Sequence, residues 1–254
     1  MKRTLIALFS LTAVAVIAGG YGKYDTKEEA IAAHRRNVEK VGGLVERPAE
    51  GPSVLFLNEQ TRLPDASFRE QVADVTTKSR IMNVVQTGTG LPQPSVLHTN
   101  YLSNVEIAAI ISVCDIPGTP AMTVYPELRS AVVNVAALYT NDVALLSERV
   151  RKELWRGFGF VFGGSYTLVY PKAALRPIGA SMRELDKSPC TGLSIDTIQP
   201  MRKVMERWGM VPVKKTSYKR ACEEGWAPAP TNDIQRAIWE TARASAATNP
   251  PVAK

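Results

Sequence analysis

Between Glu148 and Tyr166 the chain reads ERVRKELWRGFGFVFGGSY, and no other stretch restricts the fold as much. Its first half has the apolar spacing of an amphipathic helix. Its second half sets four glycines (Gly157, Gly159, Gly163 and Gly164) among three phenylalanines (Phe158, Phe160 and Phe162). An interior glycine costs a helix about 1 kcal/mol relative to alanine. A helix that keeps such glycines needs a second backbone to approach it closely, or a bend. The stretch is therefore expected to serve a site as well as a core.

The chain has 254 residues, 45% of them apolar and 22% charged. That is an ordinary globular composition, enough for one domain with a sizeable core or for two small ones. Residues 1–20 read as a secretory signal peptide. Lys2 and Arg3 precede the apolar run Leu5–Ala18, and Ala18-Gly19-Gly20 supplies small residues for cleavage. The run is short for a membrane span, which needs about 20 apolar residues. No Cys follows it, which argues against a lipid-anchored start. The expected location is secreted or periplasmic, the alternative being an uncleaved N-terminal anchor. Removing Lys2 and Arg3 takes the formal charge from +7 to about +5. The basic residues are scattered, without a dense run interleaved with aromatics, so nucleic acid is not an expected partner.

After the leader, Thr26 and Glu29 have the spacing of a capping box. Ile31, His34, Val38 and Val41 then share a face, and Gly42-Gly43 ends the helix. Residues 44–52 read as a linker, which makes 21–52 an N-terminal helical extension. The main domain is expected over 53–210. Strands are expected at Ser53–Leu57, Ile81–Val85, Ile107–Val113, Met122–Tyr125 and Ala131–Ala136. A helix opening at Pro64-Asp65 carries Phe68, Val72 and Val75 on one face, and residues 86–104 read as a loop. Beyond Tyr166 an irregular stretch leads to a helix over Thr197–Trp208, with Met201, Val204, Met205 and Trp208 inward. Residues 211–245 read as a strap and a last helix, capped by Thr231 or Asn232 and striped by Ile234, Ala237, Ile238 and Ala242. Residues 246–254 read as a frayed tail. Alternating strands and helices make the class α/β (α+β), a twisted mixed sheet packed by helices.

Much chemistry is excluded by residue type. The two histidines, His34 and His98, belong to no HxxxH pair, so a histidine zinc site of protease type is not available. There is no GxSxG elbow and no GxxxxGK[ST] phosphate loop, and Ser165 has no nearby histidine to activate it. Glu148 and Glu153 lie on the central helix without an evident catalytic partner. Cys114, Cys190 and Cys222 make an odd count, so at least one thiol is left over. If a pair forms, Cys190–Cys222 is the expected one.

Four segments together resemble the archaemetzincins, a branch of the metzincin zinc peptidases: Ala131–Leu138 (AVVNVAAL), Arg149–Gly163, Ser181–Asp186 (SMRELD) and Pro189-Cys190. In that family a strand close to AVVSxARL precedes a helix of form RxxKExxHExxHxxGxxH. A methionine turn, an SLEELD-like segment and structural zinc cysteines follow. Arg149, Lys152 and Glu153 match the approach to the helix motif, Gly159 the glycine often found before the second histidine, and Gly163 the turn glycine. Where the family has its zinc histidines this chain has Arg156, Phe160 and Tyr166, and where it has the general-base glutamate there is Gly157. The turn methionine falls near Arg176, and only Cys190 remains of the structural cysteines. The resemblance thus implies a metzincin-like fold over residues 53–210 and a vestigial cleft at Arg156, Gly159, Phe160, Gly163 and Tyr166, with no cofactor and no zinc.

On this reading the chain is a secreted pseudo-peptidase, with a peptide or protein as the expected partner. Arg156 would receive a carboxylate, and Met122–Ala136 would offer an edge strand to an extended peptide. Two alternatives stand beside it. One is a hydrolase using other chemistry in the same cleft, through Glu153, Tyr166 or Cys190; the other is a structural protein of the envelope. RGFGFVFGG reads equally as a packed helix end, with Arg156 and Tyr166 capping or snorkelling.

Overall fold

The computed structural model describes residues 26–59, 61–81, 83–87, 102, 104–179 and 181–248. The expected leader, His98, most of the expected loop 86–104 and positions 249–254 lie outside these residues. The chain divides into two compact units: Pro48–Val213, and Met1–Arg47 with Lys214–Lys254.

The larger unit is built on a five-stranded mixed sheet. Its strands are β2 (Ser53–Asn58), β3 (Asn83–Thr87), β4 (Ile107–Cys114), β5 (Met122–Tyr125) and β6 (Ser130–Asn134), in the order β3-β2-β4-β6-β5. The first four in that order run parallel, and β5 pairs antiparallel with β6 at the edge. Unbroken apolar runs such as SVLFL and IAAIISVC suit central strands buried on both faces, and Val54–Leu57 and Ala108–Cys114 are indeed buried. Helix α2 (Asp65–Ser79) makes the crossover between β2 and β3. It sends Phe68, Val72 and Val75 into a core shared with Val150, Leu154, Trp155 and Phe158 of α4 (Val143–Val161). The mixed, helix-packed sheet agrees with the expected class.

Several boundaries differ from the expectation, each for a local reason. Strand β3 starts two residues late because Arg80 caps α2 in the left-handed region (φ 61°) and Ile81 is buried in the core. Strand β6 stops at Asn134, whose side chain accepts from Ala136 N and starts the short α3 (Val135–Leu138). The central helix begins at Val143, five residues before Glu148, because Asp142 Oδ1 accepts from Ala144 N at 2.9 Å and Leu145 N at 3.1 Å. The expected irregular stretch after Tyr166 contains α5 (Met182–Lys187), capped by Ser181, and α6 begins at Ile195 and runs to Arg207. Of the expected edge, Met122–Ala136, only β5 is an edge; β6 lies between β4 and β5.

The smaller unit joins α1 (Lys27–Lys40), the antiparallel pair β1 (Leu44–Arg47) and β7 (Lys214–Ser217), α7 (Tyr218–Glu223) and α8 (Asp233–Thr248). The start of the expected linker is thus a strand. Thr26 Oγ1 caps α1 by accepting from Glu29 N at 3.1 Å. Ala33 is the buried residue of α1; of the expected stripe Val38 and Val41 are half-buried, while Ile31 and His34 are exposed. Asn232 caps α8 through Gln235 N. The inward residues there are Gln235, Ile238, Trp239 and Ala242, with Ile234 and Ala237 exposed. Gln235 is buried because its amide serves the backbone: Nε2 donates to Gly42 O at 2.7 Å and Oε1 accepts from Thr231 N at 2.8 Å. All three cysteines are free thiols, so the Cys190–Cys222 pair is not formed. Among the described residues no helix is long and apolar enough to cross a membrane.

Candidate functional site

The glycines of α4 answer to close approach, as the sequence requires. A Cβ at Gly157 would sit 3.2 Å from the Cβ of Ala131 on β6, and one at Gly159 would sit 2.9 Å from both methyls of Leu175. Phe158 and Phe162 alternate with them into the core, 5.1 Å apart between ring centres, and Phe162 packs on Trp208 at the same distance. Gly163 then turns left-handed (φ 77°) and Gly164 N donates to Gly159 O at 2.8 Å, the closing bond of a Schellman cap.

Beside this helix lies a cleft of about 630 Å³. Pro120, Ala121 and Met122 at the start of β5 form one wall, and Ile178 and Met182 form another. Glu153, Arg156 and Tyr166 supply the polar lining of α4 and the segment after it. Arg156 Nη1 donates to Glu153 Oε1 at 2.9 Å, one turn back on the helix. Both side chains are largely buried, Glu153 at 3% exposure and Arg156 at 12%. The second carboxylate oxygen, Glu153 Oε2, and the Arg156 Nε have no hydrogen-bond partner among the described residues. Burial pushes the Glu153 carboxyl above its ordinary range, against the opposing pull of the Arg156 guanidinium.

Of the residues singled out in the sequence, Glu153, Arg156 and Tyr166 reach the cleft. Phe160 stands behind Tyr166, ring centres 5.1 Å apart and edge to face. Gly159 and Gly163 shape the helix and its end without lining the cleft. Glu153 is the cleft residue that the vestigial-site reading omitted, and its signal was the i,i+3 spacing to Arg156 on one helix face. Glu148 is occupied elsewhere, bridging Arg151 through both oxygens at 2.7 Å. Cys190 is buried, and its thiol is pushed up to about 12 by desolvation, which denies it a thiolate near neutral pH.

The four resembling segments meet in space. Arg149 on α4 holds both oxygens of Asp186 at 2.7 Å and donates to Leu138 O at 2.9 Å. The buried Lys152 donates to the carbonyls of Leu185 and Asp186, both at 3.0 Å. Arg151 Nη1 donates to Cys190 O at 2.9 Å. One turn of helix therefore clamps AVVNVAAL, SMRELD and the Cys190 turn together.

The residues that stand where the resemblance would put a metal-binding motif do not fit a zinc ion. Zinc takes thiolate, imidazole or carboxylate donors at about 2.0–2.3 Å. Here the helix face presents a guanidinium at Arg156, a glycine pressed on β6 at Gly157 and a phenyl ring at Phe160. The carboxylate on the same helix face, Glu153, is engaged by Arg156. Among the described residues no group of three or more His, Cys, Asp or Glu side chains is placed to hold a metal.

No protein-family model and no curated protein matches the sequence. Solved structures do. Archaemetzincin from Methanopyrus kandleri is 19% identical at a TM-score of 0.45, over 61% of this chain and 96% of that one. A zinc-dependent peptidase from Methanocorpusculum labreanum is 13% identical at 0.48, over 59% and 100%. Archaemetzincin from Archaeoglobus fulgidus, complexed with malonate, is 14% identical at 0.44, over 58% and 99%. The likeness is to the archaemetzincin fold alone.

Proposed function

We propose that the Pro48–Val213 unit is a peptide-binding module that does not cut, a pseudo-peptidase whose cleft receives an extended segment of a protein partner. The observation that carries this reading is the position of the Glu153–Arg156 ion pair in a cleft that opens beside the edge strand β5. An edge strand offers unpaired backbone groups to an incoming strand, and an adjacent cleft selects one side chain of it. Glu153 is held by a guanidinium and lies 3% exposed, a poor setting for activating a water, while Arg156 and Tyr166 remain at the cleft to meet a ligand. The pairing also changes what the cleft prefers. Arg156 already has its carboxylate, so a peptide group with both donor and acceptor suits the pair better than a free carboxylate. With residues 1–20 read as a leader, this binding takes place outside the cytoplasm.

The test is selection of displayed random peptides on the full chain, followed by mass spectrometry of the selected peptides after long incubation with it. Intact peptides whose affinity drops about tenfold with Tyr166→Ala support the reading. Tyr166 is 58% exposed and packs only on Phe160 among the described rings, so that change leaves the buried core intact, and an unchanged Tm verifies it. Peptides recovered cut, or bound equally by the variant, overturn it. Zinc titration followed by thermal unfolding is the companion test, with no shift in Tm expected and a stabilising, stoichiometric zinc as the contrary result.

A further inference from the structure

The segment after the central helix carries, beyond Tyr166 at the cleft, an apolar surface that the cleft does not use. Leu168 and Val169 are 80% and 76% exposed, side by side, with the half-exposed Tyr166 and Tyr170 on either side. Large aliphatic side chains are rarely left in water in adjacent pairs without a use. The loop that holds them is firmly rooted. Thr167 N donates to Leu175 O at 3.1 Å and closes its two ends, Thr191 N donates to Lys172 O at 2.9 Å, and Ala174 N donates to Gly192 O at 2.7 Å. Ala173, Ala174 and Leu175 at the root are buried. The apolar tip is therefore presented on a fixed base.

Charge says what covers it. From Leu154 to Arg183 there is no Asp or Glu, while Arg156, Lys172, Arg176 and Arg183 all fall there. Arg156 is taken by Glu153. Lys172, Arg176 and Arg183 are exposed and make no ion pair among the described residues. Aliphatic tip, tyrosines beside it and the unpaired Lys172 and Arg176 at its base are the sequence of chemistries met on crossing from lipid chains through the interface to anionic headgroups. We propose that the Tyr166–Lys172 loop docks the protein on anionic lipid bilayers, with Leu168 and Val169 entering the interface and Lys172 and Arg176 at the headgroups.

The experiment uses the full chain with phosphatidylcholine vesicles, with and without about one third phosphatidylglycerol. A Leu168→Trp variant carries the reporter at the tip, which separates the loop from any contribution of the apolar run Leu5–Ala18. The expected result is a blue shift and quenching by brominated lipid on the anionic vesicles, both much weaker on the neutral ones. The double change Leu168→Ser/Val169→Ser is expected to lower partitioning about tenfold with Tm unchanged, since both side chains are exposed. Vesicle binding without quenching at position 168 overturns the proposal, as does equal binding by the double serine variant. Concentration-dependent self-association that the same variant abolishes would give the tip to a second copy of the chain and overturns it too.

Discussion

Arg149 grips Asp186 through both carboxylate oxygens at 2.7 Å, across 37 residues of sequence. Arg149 is 10% exposed and Asp186 28%, so the pair is shielded from water more than surface pairs that contribute almost nothing. Its remaining nitrogen, Nη1, donates to Leu138 O and Tyr139 O, which ties the end of α3 to α5 through α4. Arg149→Ala leaves those carbonyls and the carboxylate to find other partners and is expected to cost about 3 kcal/mol. Arg149→Lys keeps the charge without the planar fork and is expected to recover less than half of that. Denaturant unfolding of the three proteins measures it. A cost near zero for Arg149→Ala would mean that the clamp is decorative.

The Glu153–Arg156 pair yields a sharper test because each partner hides the other's charge. Arg156→Met leaves a 3%-exposed carboxylate without its counter-charge and is expected to destabilise by about 3 kcal/mol at neutral pH. Burial already pushes the Glu153 carboxyl upward. Without Arg156 it rises further, so the variant binds a proton on folding and loses stability as pH rises above the ordinary glutamate value. Adding Glu153→Leu removes the charge and should restore most of the loss. A double-mutant cycle at two pH values reads this directly. Strict additivity of the two changes would remove the pair from the cleft's energetics.

How much of this was legible beforehand follows the range of each interaction. The glycines at 157 and 159 announced close approach, and the structure supplies it through Ala131 and Leu175. The buried strands β2 and β4 announced themselves as apolar runs. What could not be read were partners far along the chain. Leu44–Arg47 looks like linker because its pairing strand lies at Lys214–Ser217. Gln235 looks like a surface residue until Gly42 O is placed beside its amide. The cleft showed its cation in sequence, at Arg156, and concealed that Glu153 had already claimed it. Capping set other differences: Asp142 and Asn134 moved two boundaries through side-chain bonds to the backbone.

Asn134 is the polar residue on which the cleft wall depends. It is 1% exposed. Its Oδ1 accepts from Ile116 N at 3.0 Å and Ala136 N at 3.1 Å, and its Nδ2 donates to Ile116 O at 2.8 Å, Thr119 O at 3.0 Å and Thr119 Oγ1 at 2.6 Å. Those bonds fix the turn at 116–119 that delivers Pro120–Met122 to the cleft. Asn134→Ala leaves several part-buried backbone groups unpaired and is expected to cost about 2 kcal/mol. Asn134→Asp keeps the shape and the acceptors but loses the donors and adds a buried charge, so it should cost at least as much. Hydrogen exchange of residues 116–125 should rise in both variants. Unchanged exchange there would show that the turn holds itself.

The smaller unit carries the clearest acid-sensitive contact. Glu224 accepts from Lys214 Nζ at 2.6 Å and Trp226 Nε1 at 2.7 Å through one oxygen, and from Arg220 Nε at 3.0 Å through the other. The bond from Lys214, then those from Trp226 and Arg220, hold its carboxyl down at about 2, from 4.5. A carboxyl with a depressed folded value binds fewer protons folded than unfolded between those two pH values, so its stabilising contribution is complete above pH 4.5 and disappears as pH falls toward 2. Glu224→Gln has no such titration. The wild type should therefore exceed the variant in stability at pH 6 and meet it near pH 2, with the gap closing between pH 4.5 and 2. Guanidinium unfolding followed by tryptophan fluorescence at a series of pH values checks this, since Trp226 and Trp239 both lie in this unit. Salt should narrow the gap at pH 6, because the three donors sit at the protein surface. Parallel stability curves for the two proteins across that window would show that Glu224 is as free to take a proton in the folded chain as in the unfolded one.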